Sequence, residues 1–455
     1  MPLTQKTMIN SDPTNSLADR ISINTSPREM QPAVLTVFPS KLYGEVKTSG
    51  AKNSALRLLA ASLLTADEIT ISNFPGAILD AELHVEMLEK LGKCCELSGD
   101  LIRITEPQTL SQELSWNKRS IRNSLLILGA LLARAGRASV PHPGGCQIGN
   151  SRAGRAYDLH VMVLEKLGAN VIDDGSTLTA TAAHGLHGCD IELPIRSTGA
   201  TENAILTASL AKGITRIWNP HVRPEILDLI SMLRKMGAKI LVHGQEHIEV
   251  TGSGELSGAQ HRVIPDNVEA LTWVIAAVIT KGEIEIHDFP FEHLELPLIY
   301  LRESGAKLFR GETSLVVRGG ECYPLELSTG PYPGINSDMQ PLMAVYGACA
   351  KGESRFIDLR FPGRYAYAEE LAKMGLKYNV EGNVLRVHGG TPLKGTAVRA
   401  LDLRAGAGLS LAGLIADGPT HIHDAWQIAR GYSQFGDKLR KLGARVDDHA
   451  QSHAR

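Results

Sequence analysis

The amino-acid sequence predicts an α/β protein with two similar globular domains, each made of three repeats around buried helices. Two observations support this prediction. A helix that ends at a glycine recurs six times at nearly constant spacing, and each unit also contains an Ala-rich, almost fully apolar helix. Because a helix that is apolar on every side is buried, each unit contributes one helix to an interior. Strand-like sequence follows most of these helices, as in ITISNFP and EIEIHDFP.

The repeat is marked by a glycine after an amphipathic segment, as in LEKLGK, LEKLGA and LRKMGA. The six glycines follow one another at intervals of 68 to 76 residues: Gly92, Gly168, Gly237, Gly305, Gly375 and Gly443. A glycine directly after a helix is typical of a C-terminal cap with a left-handed backbone. We therefore predict six half-exposed helices that end at these glycines, followed by strands in segments such as AKILVHG and ANVIDDG.

Six apolar segments predict the buried helices: SALRLLAASLL, NSLLILGALLARA, ENAILTASLAK, VEALTWVIAAVITK, MQPLMAVYGACAK and AGLSLAGLIAD. A solenoid of six units is one way to arrange them. Units of this size favour two compact halves of three units each. A polar, glycine-containing stretch at residues 251–266 separates the third unit from the fourth and predicts the boundary between the halves. Residues 1–35 are rich in Ser, Thr, Asn and Pro, and predict a mobile N-terminal extension.

Composition excludes several classes of protein. The 455 residues include 47 Lys and Arg against 49 Asp and Glu, a formal net charge of −2, whereas a general binder of nucleic acid or membrane surfaces carries a basic excess. No apolar run reaches the roughly 18 residues of a membrane span. Six cysteines are too few for a disulfide scaffold, and no standard metal-ligand spacing occurs. We expect a cytoplasmic protein without metal or cofactor; the oligomeric state stays open.

Polar or glycine-containing loops precede the buried helices, and three of them carry a cation: Lys52 in SGAKN, Arg122 in SIRNS and Arg404 in DLRAGAG. Unpaired N–H groups and the helix dipole make a helix N-terminus favourable for anions. Taken singly, each loop is explained as a helix cap. The recurrence of a cation at one position of the repeat instead predicts a cleft between facing halves that attracts a polyanionic ligand.

A second unusual stretch is PHPGGCQIGNSRAGRAYDLH at residues 141–160, which predicts a long functional loop. Cys146 follows two glycines, so the backbone can approach a ligand closely there. Arg152 and Arg155 lie nearby in sequence and would favour the reactive thiolate form of Cys146. The other cysteines are interpreted as small buried hydrophobic residues: Cys94, Cys95, Cys189, Cys322 and Cys349.

Seven segments, in this order along the chain, resemble the enolpyruvyl transferases: GEVKTSGAKNSAL, PGGCQIG, YDLHVMVLEKLGA, STGATENAILTASLAKG, SDMQP, DLRAGAGLSLAGLIADG and ARGYSQFGDKLRKLGA. The resemblance implies two similar domains, each of three βαβαββ units around buried helices, an inside-out α/β barrel. We assign residues 53–262 to a first domain that carries the Cys146 loop. Residues 36–52 together with 263–455 form a second, discontinuous domain.

The resemblance also implies the reaction. An enolpyruvyl group passes from phosphoenolpyruvate to an acceptor hydroxyl, and phosphate is released. Carbon 3 is protonated, the hydroxyl attacks carbon 2, and a tetrahedral intermediate that carries the phosphate forms before elimination. This chemistry needs cations for phosphate and carboxylate, an acid and a base, and no metal.

By the same resemblance, residues of this chain receive roles in that reaction. Cys146 matches the general acid of the loop, and Asp338 matches an aspartate beside the acceptor hydroxyl that acts as base. Lys52 matches a lysine that contacts phosphoenolpyruvate, and Arg122 and Arg404 match arginines that hold its phosphate and carboxylate. Considered alone, Asp338 is also explained as the N-cap of the helix that begins with MQPLMAV.

Six further positions match binding residues of the family: Asn53, Arg152, Arg155, Asp158, His160 and Arg364. Asn53 corresponds to an acceptor-binding asparagine, and Asp158 and His160 belong to the DLH segment after the loop. Either Arg152 or Arg155 takes the place of a family arginine in the loop. Arg364 corresponds to an arginine in a loop of the second half.

The acceptor side departs from the family pattern. The loop between Cys146 and His160 has four extra residues and lacks the usual Arg-Pro pair. Ile195 stands where the family has a lysine for the diphosphate. The family's Pro-Thr-Asp and Phe-Glu-Asn-Arg are replaced by residues 336–338 (Asn-Ser-Asp) and 361–364 (Phe-Pro-Gly-Arg). The donor residues are kept, so we expect the reaction to be kept and the acceptor contacts to have changed.

We expect a uridine-nucleotide acceptor, namely UDP-N-acetylglucosamine in the synthesis of peptidoglycan precursors. The alternative is a paralogue that acts on a ribose hydroxyl of UMP or another simple nucleotide in nucleoside-antibiotic biosynthesis. Shikimate 3-phosphate is disfavoured, because that branch of the family lacks the cysteine loop seen in PGGCQIG. An inactive nucleotide-binding relative is the non-enzyme alternative, and a binder would not need both an acid and a base.

Replacement of Cys146 tests its assignment as the general acid. We expect Cys146→Ala to lower turnover by at least about a hundredfold, because the proton donor to carbon 3 is lost. Cys146→Asp should retain part of the activity, since a carboxylic acid can donate the same proton. Phosphate release from phosphoenolpyruvate measures both variants. Full activity of Cys146→Ala would contradict the assignment.

Overall fold

The computed structural model describes residues 34–144 and 157–449, and the structural statements below refer to these residues. Most of the extension predicted for residues 1–35 lies outside them, and so do Cys146, Arg152 and Arg155. Val34 and Leu35, the last residues of that predicted extension, already belong to a β-strand.

Thirteen α-helices are present in the described residues, and none of them is both long and apolar enough to cross a membrane. They are α1 (Lys52–Ala61), α2 (Leu79–Leu91), α3 (Ser124–Ala135), α4 (Asp158–Lys166), α5 (Thr198–Ala208), α6 (Pro224–Lys235), α7 (Asn267–Ile279), α8 (Glu295–Glu303), α9 (Gln340–Cys349), α10 (Ala366–Lys373), α11 (Leu403–Ile415), α12 (Trp426–Ala429) and α13 (Phe435–Lys441). The six predicted apolar helices are α1, α3, α5, α7, α9 and α11, and each is buried along most of its length.

The six repeat glycines end α2, α4, α6, α8, α10 and α13, as the sequence predicts. All six have φ between +87° and +109°. At Gly168 the glycine N–H donates to the carbonyl of Glu165, and the next N–H, of Ala169, donates to the carbonyl of Leu164, both at 3.0 Å. The same pair of hydrogen bonds recurs at the other five glycines. This pair of hydrogen bonds is the Schellman motif, which satisfies carbonyls at the helix end.

Twenty-three β-strands complete the described fold. They are β1 (Val34–Val37), β2 (Tyr43–Lys47), β3 (Ile69–Ser72), β4 (Cys94–Ser98), β5 (Leu101–Thr105), β6 (Arg137–Pro141), β7 (Asn170–Asp173), β8 (Thr177–Thr181), β9 (Asp190–Glu192), β10 (Ile214–Trp218), β11 (Lys239–His243), β12 (His247–Thr251), β13 (Ala259–Arg262), β14 (Glu283–His287), β15 (Lys307–Arg310), β16 (Ser314–Arg318), β17 (Glu326–Ser328), β18 (Glu353–Ile357), β19 (Lys377–Glu381), β20 (Val384–His388), β21 (Ala397–Arg399), β22 (Thr420–His423) and β23 (Val446–His449).

The strands form six separate sheets, and none of these closes into a barrel of strands. Their orders are β13-β3-β5-β4, β6-β8-β7, β11-β12-β10-β9, β15-β16-β14-β2, β17-β18-β20-β19 and β21-β22-β1-β23. Each four-stranded sheet consists of antiparallel neighbours and one parallel edge strand, such as β9 beside β10. Five sheets share this topology, and the three-stranded sheet has the antiparallel strands alone. The six sequence units therefore correspond to six sheets, with helices rather than strands in the interior.

Buried apolar side chains form two separate clusters. The first core contains residues between Ala51 and Val263, and the second core contains residues 35–46 together with residues between Val268 and Val446. Three strands join sheets far from them in sequence: β13 pairs with β3, β2 pairs with β14, and β1 lies between β22 and β23. The chain therefore passes twice between the cores, once before α1 and once before α7.

The two passages pair with each other. The Ala51 N–H donates to the carbonyl of Ile264 at 2.7 Å, and the Asp266 N–H donates to the carbonyl of Ser49 at 2.8 Å. A Cβ on Gly50 would lie 1.9 Å from the carbonyl oxygen of Asn73, so only glycine fits there. This pairing places the N-termini of α1 and α7 side by side.

Asp266 joins the two helix starts. Its carboxylate accepts the N–H groups of Val268 and Glu269 at 2.9 Å, and so caps α7. The same carboxylate accepts the N–H of Lys52, the first residue of α1, at 3.2 Å. One side chain therefore fixes the first turn of a helix in each core relative to the other.

Replacing a glycine in one of the left-handed helix caps should lower the free energy of unfolding measurably. Gly237 has φ +102°, and a Cβ there would meet nothing within 4 Å, so only backbone strain opposes a side chain. We expect Gly237→Ala to lower the free energy of unfolding by about 1 kcal/mol. Gly237→Asn should lose less, because asparagine tolerates a left-handed backbone better than other side chains. Denaturant titration measures both, and an unchanged midpoint for Gly237→Ala would contradict the account.

Candidate active site

A cleft of about 1250 Å³ contains the N-terminal ends of all six buried helices. Each helix contributes a residue of its first turn or of the loop before it: Lys52 (α1), Arg122 (α3), Ser197 (α5), Asn267 (α7), Asp338 (α9) and Arg404 (α11). The convergence that the repeat predicts is therefore present. Helix N-termini present unpaired N–H groups and the positive end of the helix dipole, so their convergence favours an anionic ligand.

The side chains of the cleft add positive charge to these helix ends. Nine basic residues line it: Lys52, Arg57, Arg122, Arg196, Arg223, Arg360, Arg364, Arg404 and Arg430. Six acidic residues line it as well: Asp80, Asp158, Glu202, Glu292, Glu295 and Asp338. The lining therefore has an excess of positive charge, although the whole chain has a net charge of −2.

Eight of the site residues predicted from sequence lie in the described part of the chain, and all eight line this cleft: Lys52, Asn53, Arg122, Asp158, His160, Asp338, Arg364 and Arg404. The other three, Cys146, Arg152 and Arg155, belong to the segment 145–156, outside the described residues. The structure thus brings together residues from both cores, and their individual roles stay predictions.

Asp80, near the start of α2, is the centre of the first ion-pair cluster. Its carboxylate lies 2.7 Å from Lys52 Nζ and 3.3 Å from Arg430 Nε, and it also pairs with Arg119. Burial opposes its ionisation, yet the charges of Lys52, Arg430 and Arg119 hold the pKa of Asp80 well below its usual range. The carboxylate therefore stays ionised and neutralises cations from both cores.

Asp338 is the centre of the second cluster. Arg364 Nη1 donates to Asp338 Oδ1 at 2.9 Å, and Arg404 Nε lies 3.5 Å from Oδ2. Arg364 also lies 3.4 Å from Asp402, the residue that caps α11. Against the effect of burial, Arg364 and Arg404 hold the pKa of Asp338 well below its usual range. Asp338 is thus a carboxylate that can accept a hydrogen bond from a hydroxyl.

The alternative explanation of Asp338 as a helix N-cap is wrong. Helix α9 begins at Gln340, its N-cap position is Met339, and no side chain caps it. The carboxylate of Asp338 instead accepts a charge-assisted hydrogen bond from Arg364 and lies within ion-pair distance of Arg404. Asp338 therefore lines the cleft from the loop before α9 without capping the helix.

Arg404 is fully buried at the start of α11. Its backbone N–H donates to the Asp402 carboxylate at 2.7 Å, and its guanidinium carbon lies 5.0 Å from the centre of the Tyr432 ring. Within the described residues, its Nε and Nη1 make no hydrogen bond. Buried polar groups are nearly always hydrogen-bonded, so a cleft-lining guanidinium with unsatisfied N–H groups indicates an anionic ligand.

His160 lies over the start of α5. Its Nδ1 is 3.3 Å from Asn203 Nδ2, and a Cβ on Gly199 would lie 2.7 Å from its Nε2. The glycine of the STGATEN segment is thus required for close packing of this imidazole. The contact connects the DLH segment at the start of α4 to the N-terminus of α5.

Three members of the Asp80 cluster are not among the residues predicted from sequence: Asp80, Arg119 and Arg430. Other charged residues of the lining, such as Arg223 and Arg360, were likewise not predicted. Arg430 lies inside the segment ARGYSQFGDKLRKLGA, which supports the family resemblance, so this arginine could have been singled out there. Arg119 lies three residues before Arg122 in a segment with several cations. The sequence around Asp80 does not mark it as a site residue, because an acidic residue in the first turn of a helix is explained by the helix dipole alone.

The fold and the cleft together define an α/β enzyme that handles an anionic substrate at converging helix ends. A family model for EPSP synthase (3-phosphoshikimate 1-carboxyvinyltransferase) matches residues 38–439. The chain therefore belongs to the EPSP synthase family and is an enolpyruvyl (1-carboxyvinyl) transferase, as the resemblance predicts.

Two curated relatives are similar over nearly their whole length. A UDP-N-acetylglucosamine 1-carboxyvinyltransferase of Carboxydothermus hydrogenoformans is 40% identical over 411 residues, 90% of this chain and 97% of the relative. Another, from Caldanaerobacter subterraneus subsp. tengcongensis, is 39% identical over 406 residues, 89% of this chain and 96% of the relative. The crystal structure of the enolpyruvyl transferase NikO from Streptomyces tendae is similar with a TM-score of 0.84 and 26% identity, covering 93% of this chain and all of that one.

The Asp80 cluster predicts a charge-dependent loss of stability. Asp80→Asn leaves Lys52, Arg119 and Arg430 close together without their carboxylate, so we expect the free energy of unfolding to fall by about 3 kcal/mol. Inorganic phosphate should restore stability to this variant more than to the wild type, because it supplies the missing negative charge. Thermal unfolding with and without phosphate measures this. The exposed Asp100→Asn is the control, and equal phosphate effects on Asp80→Asn and wild type would contradict the account.

Proposed function

We propose that the protein transfers the enolpyruvyl group of phosphoenolpyruvate to a hydroxyl of UDP-N-acetylglucosamine and releases phosphate. The observation that carries the proposal is the cleft in which Lys52, Arg404 and Arg430 meet around Asp80 and Asp338 at the helix N-termini. The acceptor is supported by about 40% identity to relatives that carry the name of this activity.

The donor fits the charges of the cleft. Phosphoenolpyruvate has a phosphate and a carboxylate on adjacent groups, so it needs cations on more than one side. Arg404 offers unsatisfied N–H groups from the start of α11, and Lys52 and Arg430 approach from α1 and from the segment after α12. Preorganised cations of this kind stabilise the negative charge of a departing phosphate, which is usually the largest contribution to catalysis.

The reaction balances with two proton-transfer groups. Cys146, outside the described residues, donates a proton to carbon 3 of phosphoenolpyruvate, and Asp338 accepts the proton of the acceptor hydroxyl as its oxygen bonds to carbon 2. In the second stage the bond from carbon 2 to the phosphate oxygen breaks, carbon 3 returns one proton to the Cys146 thiolate, and the proton held by Asp338 passes to the departing phosphate. The products are the enolpyruvyl ether and inorganic phosphate, and no oxidant or reductant is consumed.

The low pKa of Asp338 in the free protein is compatible with its role as base. Arg404 is shared between this carboxylate and the donor, because its guanidinium both pairs with Asp338 and has unsatisfied N–H groups. A bound anion competes with Asp338 for Arg404, and a carboxylate that loses part of its cationic partner binds a proton more strongly. Donor binding therefore raises the basicity of Asp338 when the hydroxyl is in place.

A simple nucleotide such as UMP is the second candidate acceptor, and Ile195 favours it. Ile195 lines the cleft with its side chain half exposed, at the position where the family resemblance places a lysine for the diphosphate. The neighbouring Arg196 donates from Nε to Asn219 Oδ1 at 3.3 Å, so its guanidinium is held by a different residue. A monophosphate requires fewer cations at this end of the cleft than a diphosphate.

Phosphate release from phosphoenolpyruvate with separate acceptors decides between the two. We expect release with UDP-N-acetylglucosamine and none with shikimate 3-phosphate. Release with UMP alone would replace the first acceptor by the second. Release with none of these acceptors would contradict the proposed function.

Asp338→Asn tests the base. The amide cannot accept a proton from the hydroxyl, so we expect turnover to fall by about a hundredfold or more. The matched control is Glu326→Gln, an exposed acid on β17 outside the cleft. Steady-state phosphate release at saturating donor measures both variants, and wild-type turnover in Asp338→Asn would show that another group takes the proton.

A further inference from the structure

His221 makes a hydrogen bond that connects the two sides of the cleft. It lies in the loop between β10 and α6, on the side of the first core, and is 9% exposed. Its Nδ1 is 2.8 Å from Thr198 Oγ1 in the first turn of α5. On the other side, the backbone N–H of Tyr332 donates to His221 Nε2 at 3.2 Å. Tyr332 lies between β17 and α9, which belong to the side of the second core.

The two contacts determine the protonation of the ring. The N–H of Tyr332 is a donor, so Nε2 has to present its lone pair. Nδ1 then carries the proton of the neutral ring and donates it to Thr198 Oγ1. A doubly protonated ring would direct one N–H against another and break the bridge to Tyr332. The bridge therefore requires neutral imidazole.

The surroundings of His221 keep the imidazole neutral. Burial, followed by the charges of Arg223 and Arg360, lowers the pKa of His221 to about 3; Glu225 opposes this shift and Arg196 adds to it. Arg196, Arg223 and Glu225 come from the side of the first core, and Arg360 comes from the side of the second. The ring is consequently neutral throughout the physiological pH range, and the hydrogen bond to Tyr332 is present there.

The segment that His221 holds belongs to the part of the cleft that the family resemblance assigns to the acceptor. Residues 330–334 line the cleft, and they lead directly to Asp338. Within this segment the Gly330 N–H donates to the carbonyl of Ile335 at 2.9 Å, and Tyr332 Oη donates to the carbonyl of Glu292 at 3.1 Å. The segment is thus a compact turn attached to the second core, and His221 ties it to the first.

We propose that His221 is a positioning residue that holds the 330–334 turn against the first core and so sets the width of the acceptor side of the cleft. The proposal rests on the proposed function, because the acceptor is what this width selects. Both ring nitrogens of His221 are engaged in the contacts with Thr198 and Tyr332. His221 acts through the backbone of Tyr332 and through the position of the turn that precedes Asp338.

Two substitutions separate the two contacts of the ring. In His221→Gln the side-chain oxygen reaches about as far as Nε2, so it can still accept the Tyr332 N–H. In His221→Asn the shorter amide can still donate to Thr198 Oγ1, but it does not reach Tyr332. The first variant keeps the bridge between the cores, and the second keeps only the contact within the first core. The exposed His184→Asn is the control for loss of a histidine elsewhere.

Hydrogen exchange of the peptide that contains residues 330–335 measures the bridge directly, without substrate. We expect His221→Asn to speed exchange of this segment about tenfold, because the Tyr332 N–H loses its acceptor. His221→Gln and His184→Asn should exchange like the wild type. Unchanged exchange in His221→Asn would overturn the proposal, whatever the enzyme does with its substrates.

The KM for UDP-N-acetylglucosamine then measures whether the 330–334 turn is correctly positioned. We expect His221→Asn to raise the KM for this acceptor about tenfold, with the KM for phosphoenolpyruvate unchanged, and His221→Gln to restore most of the difference. Equal losses in the Asn and Gln variants, or a loss confined to thermal stability, would overturn the positioning role. Absence of phosphate release by the wild-type protein would instead contradict the proposed function, so the two failures are distinguishable.

Discussion

Mutual repulsion among the basic side chains of the cleft is the constraint on which the rest of the site depends. Nine of them line it among the described residues, and helix N-termini add further positive charge. Asp80 and Asp338 make this arrangement stable, because each pairs with cations that come from different parts of the chain. An anionic ligand would supply more negative charge at the same place and so reduce the remaining repulsion.

The repeats of the fold bring these charged residues to the cleft. Six glycine caps end the half-exposed helices, and six apolar helices begin at the cleft, so one local pattern is used six times. The two chain passages at Gly50 and Pro265 place α1 beside α7, and Asp266 caps α7 and accepts the N–H of Lys52 in α1. The position of Lys52 therefore depends on a contact with Asp266, more than two hundred residues away in the chain. The residues next to Lys52 in sequence form only a short loop.

Local patterns made most of the fold predictable from sequence. The glycine caps and the apolar helices depend on neighbouring residues, and they lie where the sequence places them. The site was predictable mainly where family motifs carry it, as for Lys52 and Arg404. Asp80 and His221 were not, because their partners lie far away in the chain and an acid in a first helical turn looks ordinary. The N-cap explanation of Asp338 failed for the same reason: its carboxylate pairs with the distant Arg364 and Arg404 and does not cap the nearby helix.

The central claim is that this cleft performs addition and then elimination on phosphoenolpyruvate. Its most direct test is the reaction with UDP-N-acetylglucosamine in heavy water, with the product examined by nuclear magnetic resonance. Protonation of carbon 3 turns it into a methyl group, which can lose either a hydrogen or a deuterium on elimination. The account predicts an enolpyruvyl ether with deuterium in its vinyl group. A product without deuterium would contradict the mechanism, and no product with any nucleotide acceptor would contradict the claim itself.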